Sequence, residues 1–146
     1  EKIFNEYNFD GWNAIDILLL VSNEINERFF DVTPSVTMIL AKDFPEIFET
    51  HKNLRSDFIF EKIKINIEKG MQQGMYKKDV SSEMLARMFI AKLNDIHNPE
   101  IYPPEGFTFN TIFSNLIDNL VKAITNEEGK SYYKQRKQLY SVLNFR

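Results

Sequence analysis

The chain has 146 residues, 43 % of them hydrophobic, and a formal net charge of −3, which excludes a disordered segment and predicts one domain with its own core. Cysteine is absent, which excludes disulfides, thiolate metal sites and a cysteine nucleophile within this sequence. No apolar run approaches the roughly 20 residues that span a bilayer. Because residue 1 is Glu, we expect the natural start to lie upstream.

The first elements are separated by glycine and proline. Residues 1–10 are expected to be the tail of an upstream linking helix, which Gly11 ends. Apolar residues at three- and four-residue spacing predict a helix over residues 12–30. Thr33-Pro34 is a typical helix start, and Pro45 predicts that this second helix stops or kinks at Phe44. A short helical turn is expected to follow Pro45.

The next segment has two interpretations. Ser56 is a candidate cap for a helix that reaches Gln73, but Ile63, Ile65 and Ile67 also alternate as in a strand. The segment is too long for one strand, so a helix is favoured. Gly74 is the expected left-handed stop, and Gly70 is expected to let another helix approach closely.

Three further helices are predicted in the second half. Ser81 caps the first, over residues 82–96, which Asn98-Pro99 ends. Thr108 caps the second, which Gly129 ends and whose apolar stripe is too wide for one neighbouring helix. A basic helix with several tyrosines is predicted within residues 130–146. The fold class is therefore all-α, an antiparallel bundle of about six helices in a single domain.

Charge is divided unevenly along the chain. Residues 130–146 hold five of the 18 basic residues and no acid, so the remainder has 13 basic against 21 acidic residues, a net charge of −8. Such a body repels nucleic acid phosphates. The basic and aromatic tail resembles a nucleic-acid-binding segment, but an amphipathic closing helix with packed Tyr rings and solvated Lys heads is favoured.

Catalytic and metal-binding patterns are weak. The two histidines, His51 and His97, lie beside loop signals and outside any recognisable triad or ligand motif. The pair Gly70 and Gly74 lacks the lysine and hydroxyl residue of a phosphate loop. We expect neither an enzyme nor a cofactor or metal site.

Aromatic and methionine side chains are concentrated in the first three helices, and two interpretations remain open. They form an ordinary core, which the sequence alone favours, or they line an apolar ligand cavity between helices. The candidate ligand-binding residues are Trp12, Phe29, Met38, Phe44, Phe48, Phe60, Ile63, Ile67 and Met71.

Two stretches resemble one known family. Residues 70–86, with Gly74-Met-Tyr-Lys-Lys-Asp79 before a new helix, resemble the C-terminal regulatory domain of TetR-family transcriptional regulators. Residues 34–48, with Asp43-Phe-Pro-Glu-Ile-Phe48, resemble the kinked middle helix of that domain. Ser82 stands where the family commonly has Pro. Taken with the helix order, the resemblance extends over most of residues 12–128.

The resemblance implies a bacterial, cytoplasmic homodimer that binds an apolar or amphipathic small molecule, with no membrane partner. DNA would be bound only through an N-terminal helix-turn-helix domain absent from this chain. The last two main helices of each subunit would form a four-helix bundle, since a wide apolar stripe needs a partner. The expected interface residues are Leu85, Met88, Phe89, Lys92, Ile96, Phe109, Ile112, Phe113, Leu116, Ile117 and Leu120. A dimerisation or interaction module without a ligand is the alternative, and a helical enzyme the third.

Overall fold

The computed structural model describes residues 9–28, 34–96, 98–103 and 105–143, with side chains at all of these except 28, 34–38 and 140–143. Within these ranges the chain forms α-helices and an isolated antiparallel bridge between Tyr76 and Thr125. The all-α prediction is confirmed. The helices are α1 (Ala14–Arg28), α2 (Pro34–Asp43), α3 (Pro45–Gln72), α4 (Ser82–Asp95), α5 (Phe109–Ile124) and α6 (Glu127–Leu143).

The core is built around α5, which packs against α1, α4 and α6. Eight of its 16 residues are buried, at spacings that cover about half of its circumference. Helices α3 and α4 form an antiparallel pair, with Ser82 beside Glu68 and Ser56 beside Asn94. The wide stripe on α5 is therefore covered on several sides by other helices of the same chain.

Local start and stop signals act where they were predicted. The Ser81 hydroxyl accepts a hydrogen bond from the Met84 amide (3.1 Å) at the start of α4. The Thr108 hydroxyl accepts one from the Thr111 amide (3.3 Å) at the start of α5. Gly74 has φ +78°, the left-handed conformation that follows the end of a helix. Each signal depends only on neighbouring residues, and all three predictions are confirmed.

The region after Pro45 differs from the prediction. Phe44 leaves helical geometry, with φ −134° and ψ 61°, and Pro45 begins α3. The helix then runs without interruption for 28 residues, so Ser56 lies inside it and caps nothing. A short turn followed by a separate helix was wrong because no glycine or proline interrupts residues 46–69. The helical interpretation of residues 63–67 is confirmed.

The sequence predicts that Gly129 ends α5, and this prediction is wrong. Helix α5 ends at Ile124, Thr125 is extended, and Gly129 lies in the first turn of α6, where its amide donates to Asn126 Oδ1 (2.9 Å). A Cβ atom at residue 129 would overlap the backbone oxygen of Met75. The glycine is needed for this close approach between α6 and the loop after α3.

Helix α6 closes the bundle through its tyrosines. The Tyr132 hydroxyl donates to Asp16 Oδ2 of α1 (2.6 Å), and Arg136 Nε donates to Asp16 Oδ1 (2.8 Å). The Tyr133 hydroxyl donates to Asp118 Oδ1 of α5 (2.6 Å). These contacts join one face of α6 to α1 and α5, as expected for an amphipathic helix that closes the bundle. Of the helices described, none is both long and apolar enough to cross a bilayer.

Candidate functional site

The C-terminal end of α3 holds residues 9–14, which lead into and begin α1. Asn66, Lys69 and Gln73 lie on one face of this end at i, i+3 and i+7 spacing, and we call them the entry clamp. Lys69 Nζ donates to the Phe9 carbonyl (3.0 Å), and Gln73 Nε2 donates to the Trp12 carbonyl (3.0 Å).

The first residue of α1 is held from both sides by the same clamp. The Ala14 amide donates to Gln73 Oε1 (2.8 Å), and Asn66 Nδ2 donates to the Ala14 carbonyl (2.9 Å). The Ala14 amide is one of the N–H groups that the start of a helix leaves unpaired, and Gln73 supplies its partner. A displacement of the end of α3 would therefore be transmitted directly to residues 9–14.

Tyr76 fixes the entry clamp from within the core. Its side chain is fully buried, and its hydroxyl donates to Asn66 Oδ1 (2.8 Å), which leaves Asn66 Nδ2 for the Ala14 carbonyl. Burial raises the pKa of the Tyr76 hydroxyl well above its ordinary value, so the group stays a neutral donor. Its ring packs directly on Gly70. Tyr76 of the Gly-Met-Tyr motif thus orients the clamp.

A groove of about 470 Å³ lies between α3 and α4. The Phe60 ring lies in it, with the Arg87 guanidinium 4.9 Å from the ring centroid. Arg87 is also paired with Glu83 (3.0 Å). The lining combines apolar and polar side chains: Ser56, Asp57, Phe60, Glu61, Arg87, Ile90 and Ala91. This mixture suits an amphipathic ligand better than a purely apolar one.

The candidate ligand-binding residues do not surround one cavity. Ile67 is buried in the core, and Ile63 and Met71 are half-buried and pack against it. Phe44 stands 56 % exposed where α2 meets α3, and Phe48 is half-buried nearby.

A single small molecule could not contact the whole set, because Pro45 and Ile67 lie about 33 Å apart along α3 at 1.5 Å per residue. The Trp12 ring packs edge-on against Phe9 (5.4 Å between centroids), beside the entry clamp. Phe29 and the Met38 side chain lie outside the described residues. Of the nine candidates, Phe60 lines the groove between α3 and α4. The described members on α3 follow the length of this continuous helix, as members of a core would.

Most of the expected interface residues belong to the core of a single chain. The premise that only a second copy could cover them was wrong, since α1, α4 and α6 cover α5. Leu85 is half-buried, while Met88 and Lys92 are exposed on α4. The buried members are Phe89, Ile96, Phe109, Ile112, Phe113, Leu116, Ile117 and Leu120.

A second groove, of about 900 Å³, lies between α5 and α6. Its rim carries lysines from both helices, at positions 122, 130, 134 and 137. The sequence signal was the i, i+4, i+7 spacing of the three lysines in α6. That spacing places them on one face, but only the packing of α6 on α5 makes the face one wall of a groove.

In the part of the chain that the structure describes, no three His, Asp or Glu side chains are grouped so that they could hold a metal ion. His51 is exposed on α3, and His97 lies outside the described residues.

Comparison of the chain with protein-family models, with curated proteins and with solved structures finds no match. The candidate site is therefore interpreted from its own geometry: a groove between α3 and α4, and an entry clamp at the end of the same α3 helix. Sequence reasoning missed the clamp. Asn66, Lys69 and Gln73 resemble ordinary solvent-facing residues of an amphipathic helix, and their backbone partners lie some 50 to 60 positions away.

Proposed function

We propose that this chain is the effector-binding and dimerisation domain of a TetR-like bacterial transcriptional regulator. The resemblance at residues 34–48 and 70–86 motivates the proposal, and the order of the helices is compatible with it. The observation that carries it is the entry clamp, because it joins α3 to the segment that would connect to an upstream DNA-binding domain. Codons before Glu1 in the parent gene would then encode about 45–50 residues with a helix-turn-helix pattern.

The coupling would run along α3. Phe60 in the groove and Lys69 in the entry clamp are nine residues apart on one continuous helix, about 14 Å at 1.5 Å per residue. In this proposal α3 has two positions in equilibrium, and a ligand bound between α3 and α4 has a higher affinity for one of them. By shifting that equilibrium it would displace the entry clamp and residues 9–14, and hence the DNA-binding domain.

The effector would be amphipathic. Phe60 and Ile90 offer apolar surface, while Arg87, Asp57 and Glu61 offer charge of both signs at the edge of the groove. A polar ligand group would find a hydrogen-bonding partner there, and an apolar body would displace water from the Phe60 ring.

Filling the groove is expected to abolish the response to the effector. A panel of apolar and amphipathic small molecules is screened by thermal shift against the whole chain. A true effector at about 100 times its Kd stabilises by about 2.7 kcal/mol, which raises the Tm by about 5–10 °C at this size. Ala91→Trp occupies the groove with its indole ring and is expected to remove the shift.

The matched control for the filled groove is Ala123→Trp, which places the same ring at an exposed position of α5. It should keep the full shift. An effector that stabilises both variants equally would bind elsewhere, and a complete absence of hits would count against the effector-binding proposal.

The proposed dimer needs an interface other than α5. Met84 and Met88 are 63 % and 50 % exposed, and with exposed Lys92 they form a stripe along α4 at i, i+4 and i+8 spacing. Exposed methionines on one helix face can pack against the same face of a second copy across a twofold axis. We therefore place the subunit contact on the outer face of α4.

Charge on this stripe is expected to separate the subunits. The double variant Met84→Glu, Met88→Glu would place four carboxylates in a twofold interface, and sedimentation velocity should report monomers where the unchanged chain reports dimers. The control is Asn115→Glu, Asn119→Glu on the exposed face of α5. If the control dissociates instead, α5 carries the interface. If the unchanged chain is already monomeric, the dimer proposal fails.

One observation favours a second function, an interaction module without a small-molecule ligand. Large apolar side chains are exposed around the junction of α2 and α3: Ile39, Leu40, Phe44, Ile47 and Leu54. Exposed apolar clusters of this kind commonly mark protein contacts. Dimerisation without any ligand response would favour this function over the regulator.

A further inference from the structure

The groove between α5 and α6, which we call the lysine groove, has an apolar floor and a basic rim. Val121 and the ring of Tyr133 form the floor, and the methylene stems of the rim lysines extend the apolar surface. Its volume of about 900 Å³ lies within the range of small-molecule sites, about 300–1,000 Å³.

The rim concentrates positive charge on an acidic protein. Lys122, Lys130, Lys134 and Lys137 face one carboxylate, Asp118, among the lining residues, so four charges against one leave +3 on a chain whose net charge is −3. Lysines at i, i+4 and i, i+3 spacing in α6 repel one another. A bound anion would relieve that repulsion.

The rim lysines are not equally engaged. Lys137 Nζ lies 2.8 Å from Asp118 Oδ1, and Lys130 Nζ lies 3.7 Å from Glu127 at the outer edge. Over the residues whose side chains the structure describes, Lys122 and Lys134 form no ion pair. These two ammonium groups, one from each helix, are therefore available to a bound anion.

Asp118 is bonded both to Tyr133 of the floor and to Lys137 of the rim. It accepts hydrogen bonds from the Tyr133 hydroxyl (2.6 Å) and from Lys137. Its partial burial tends to raise the pKa of the carboxyl. The bonds from Lys137 and Tyr133 and the charges of Lys137 and Lys122 outweigh burial, so the pKa lies below its ordinary value. Asp118 thus stays ionised at neutral pH and holds Tyr133 and Lys137 in place.

We propose that the lysine groove binds a small amphipathic anion, with a phosphate or carboxylate head between Lys122 and Lys134 and a hydrocarbon body along Val121 and Tyr133. Lysine ammonium groups bind such heads as point charges. The site is separate from the groove between α3 and α4 and does not depend on the regulatory proposal.

A small molecule fits the site better than nucleic acid or a membrane surface does. An extended nucleic acid strand would also meet the rest of the chain, whose net charge is −3 despite the four rim lysines. The lining of the groove is mainly apolar, so the hydrocarbon body of a small molecule would contact surface that the polar head groups of a bilayer would not favour.

The test is calorimetric titration of the whole chain with decyl phosphate below its micellar concentration, and with hexyl and ethyl phosphate. Affinity should rise roughly two- to fourfold for each added methylene group, as expected for burial of the chain. Lys122→Glu, Lys134→Glu should weaken decyl phosphate binding by at least about tenfold. The control Lys42→Glu, Lys78→Glu changes exposed lysines outside the groove and brings the net charge to the same −7. It should retain most of the affinity.

Circular dichroism establishes that both variants are folded, and Lys122→Gln, Lys134→Gln replaces the first variant if it is not. Equal loss of affinity in the test and control variants would overturn the site. Equal affinity for ethyl and decyl phosphate would overturn the apolar contact. Tighter binding of a 12-mer oligonucleotide or of phosphatidylglycerol vesicles, with the same dependence on Lys122 and Lys134, would overturn the small-molecule assignment.

Discussion

Replacing Phe113 by Glu is expected to unfold the chain rather than to separate a dimer. Phe113 is 2 % exposed inside the core formed by α5 with its neighbours, and its ring stacks on Phe109 (5.1 Å between centroids). Truncating a buried Phe costs about 3–5 kcal/mol, and an unpaired buried carboxylate adds to that cost. We expect a loss of more than about 4 kcal/mol in the free energy of unfolding, measured by urea denaturation.

The control for Phe113→Glu is Asn115→Glu, two positions along the same helix on its exposed face. It introduces the same side chain and should change stability by less than about 0.5 kcal/mol. The pair separates two accounts of α5. A folded, stable Phe113→Glu monomer would place the residue at a subunit interface, and the packing described here would be wrong.

The second large effect is expected at Gly70, where replacement by Ala should lower the free energy of unfolding instead of raising it. Gly→Ala inside a helix normally stabilises by about 0.5–1 kcal/mol. Gly70 is buried, and a Cβ atom there would overlap the Tyr76 ring. The ring can move only by disturbing its hydrogen bond to Asn66, so we expect Gly70→Ala to destabilise by about 1–3 kcal/mol in chemical denaturation.

A double-mutant cycle isolates this contact. In a Tyr76→Ala background the ring is gone, so adding Gly70→Ala should be neutral or stabilising. Gly106→Ala serves as a control, because a Cβ atom at residue 106 would meet open space. If Gly70→Ala stabilises the otherwise unchanged chain, Tyr76 does not pack on α3, and the support for the entry clamp is lost with it.

Elements that depend on neighbouring residues were predictable from the sequence. Ser81 and Thr108 cap their helices, and Gly74 takes a positive φ, as their local chemistry requires. Pro45 separates α2 from α3 by moving Phe44 out of helical geometry. Ser56 misled because a capping residue stops acting as a signal when a helix simply continues through it. Gly129 misled because a glycine can serve close packing as well as chain reversal.

The candidate site was much less predictable than the helices. The described members of the aromatic and methionine set are divided among the core, the α2–α3 junction, the entry clamp and the groove between α3 and α4. Polar residues such as Lys69 and Gln73 gain their role from backbone carbonyls distant in the sequence. Spacing along one helix shows which residues share a face, and it carries no information about what that face meets.

For this protein, the sequence by itself determined that the chain is helical, where several of its helices begin or end, and that α5 is apolar around about half of its surface. Only the tertiary structure decided what covers that surface. An apolar stripe is stabilised by any apolar neighbour, since hydrophobic burial has no direction and does not distinguish the same chain from a second copy. Here α1, α4 and α6 lie close enough to cover α5. That packing also creates the lysine groove from helix faces that the sequence presents separately.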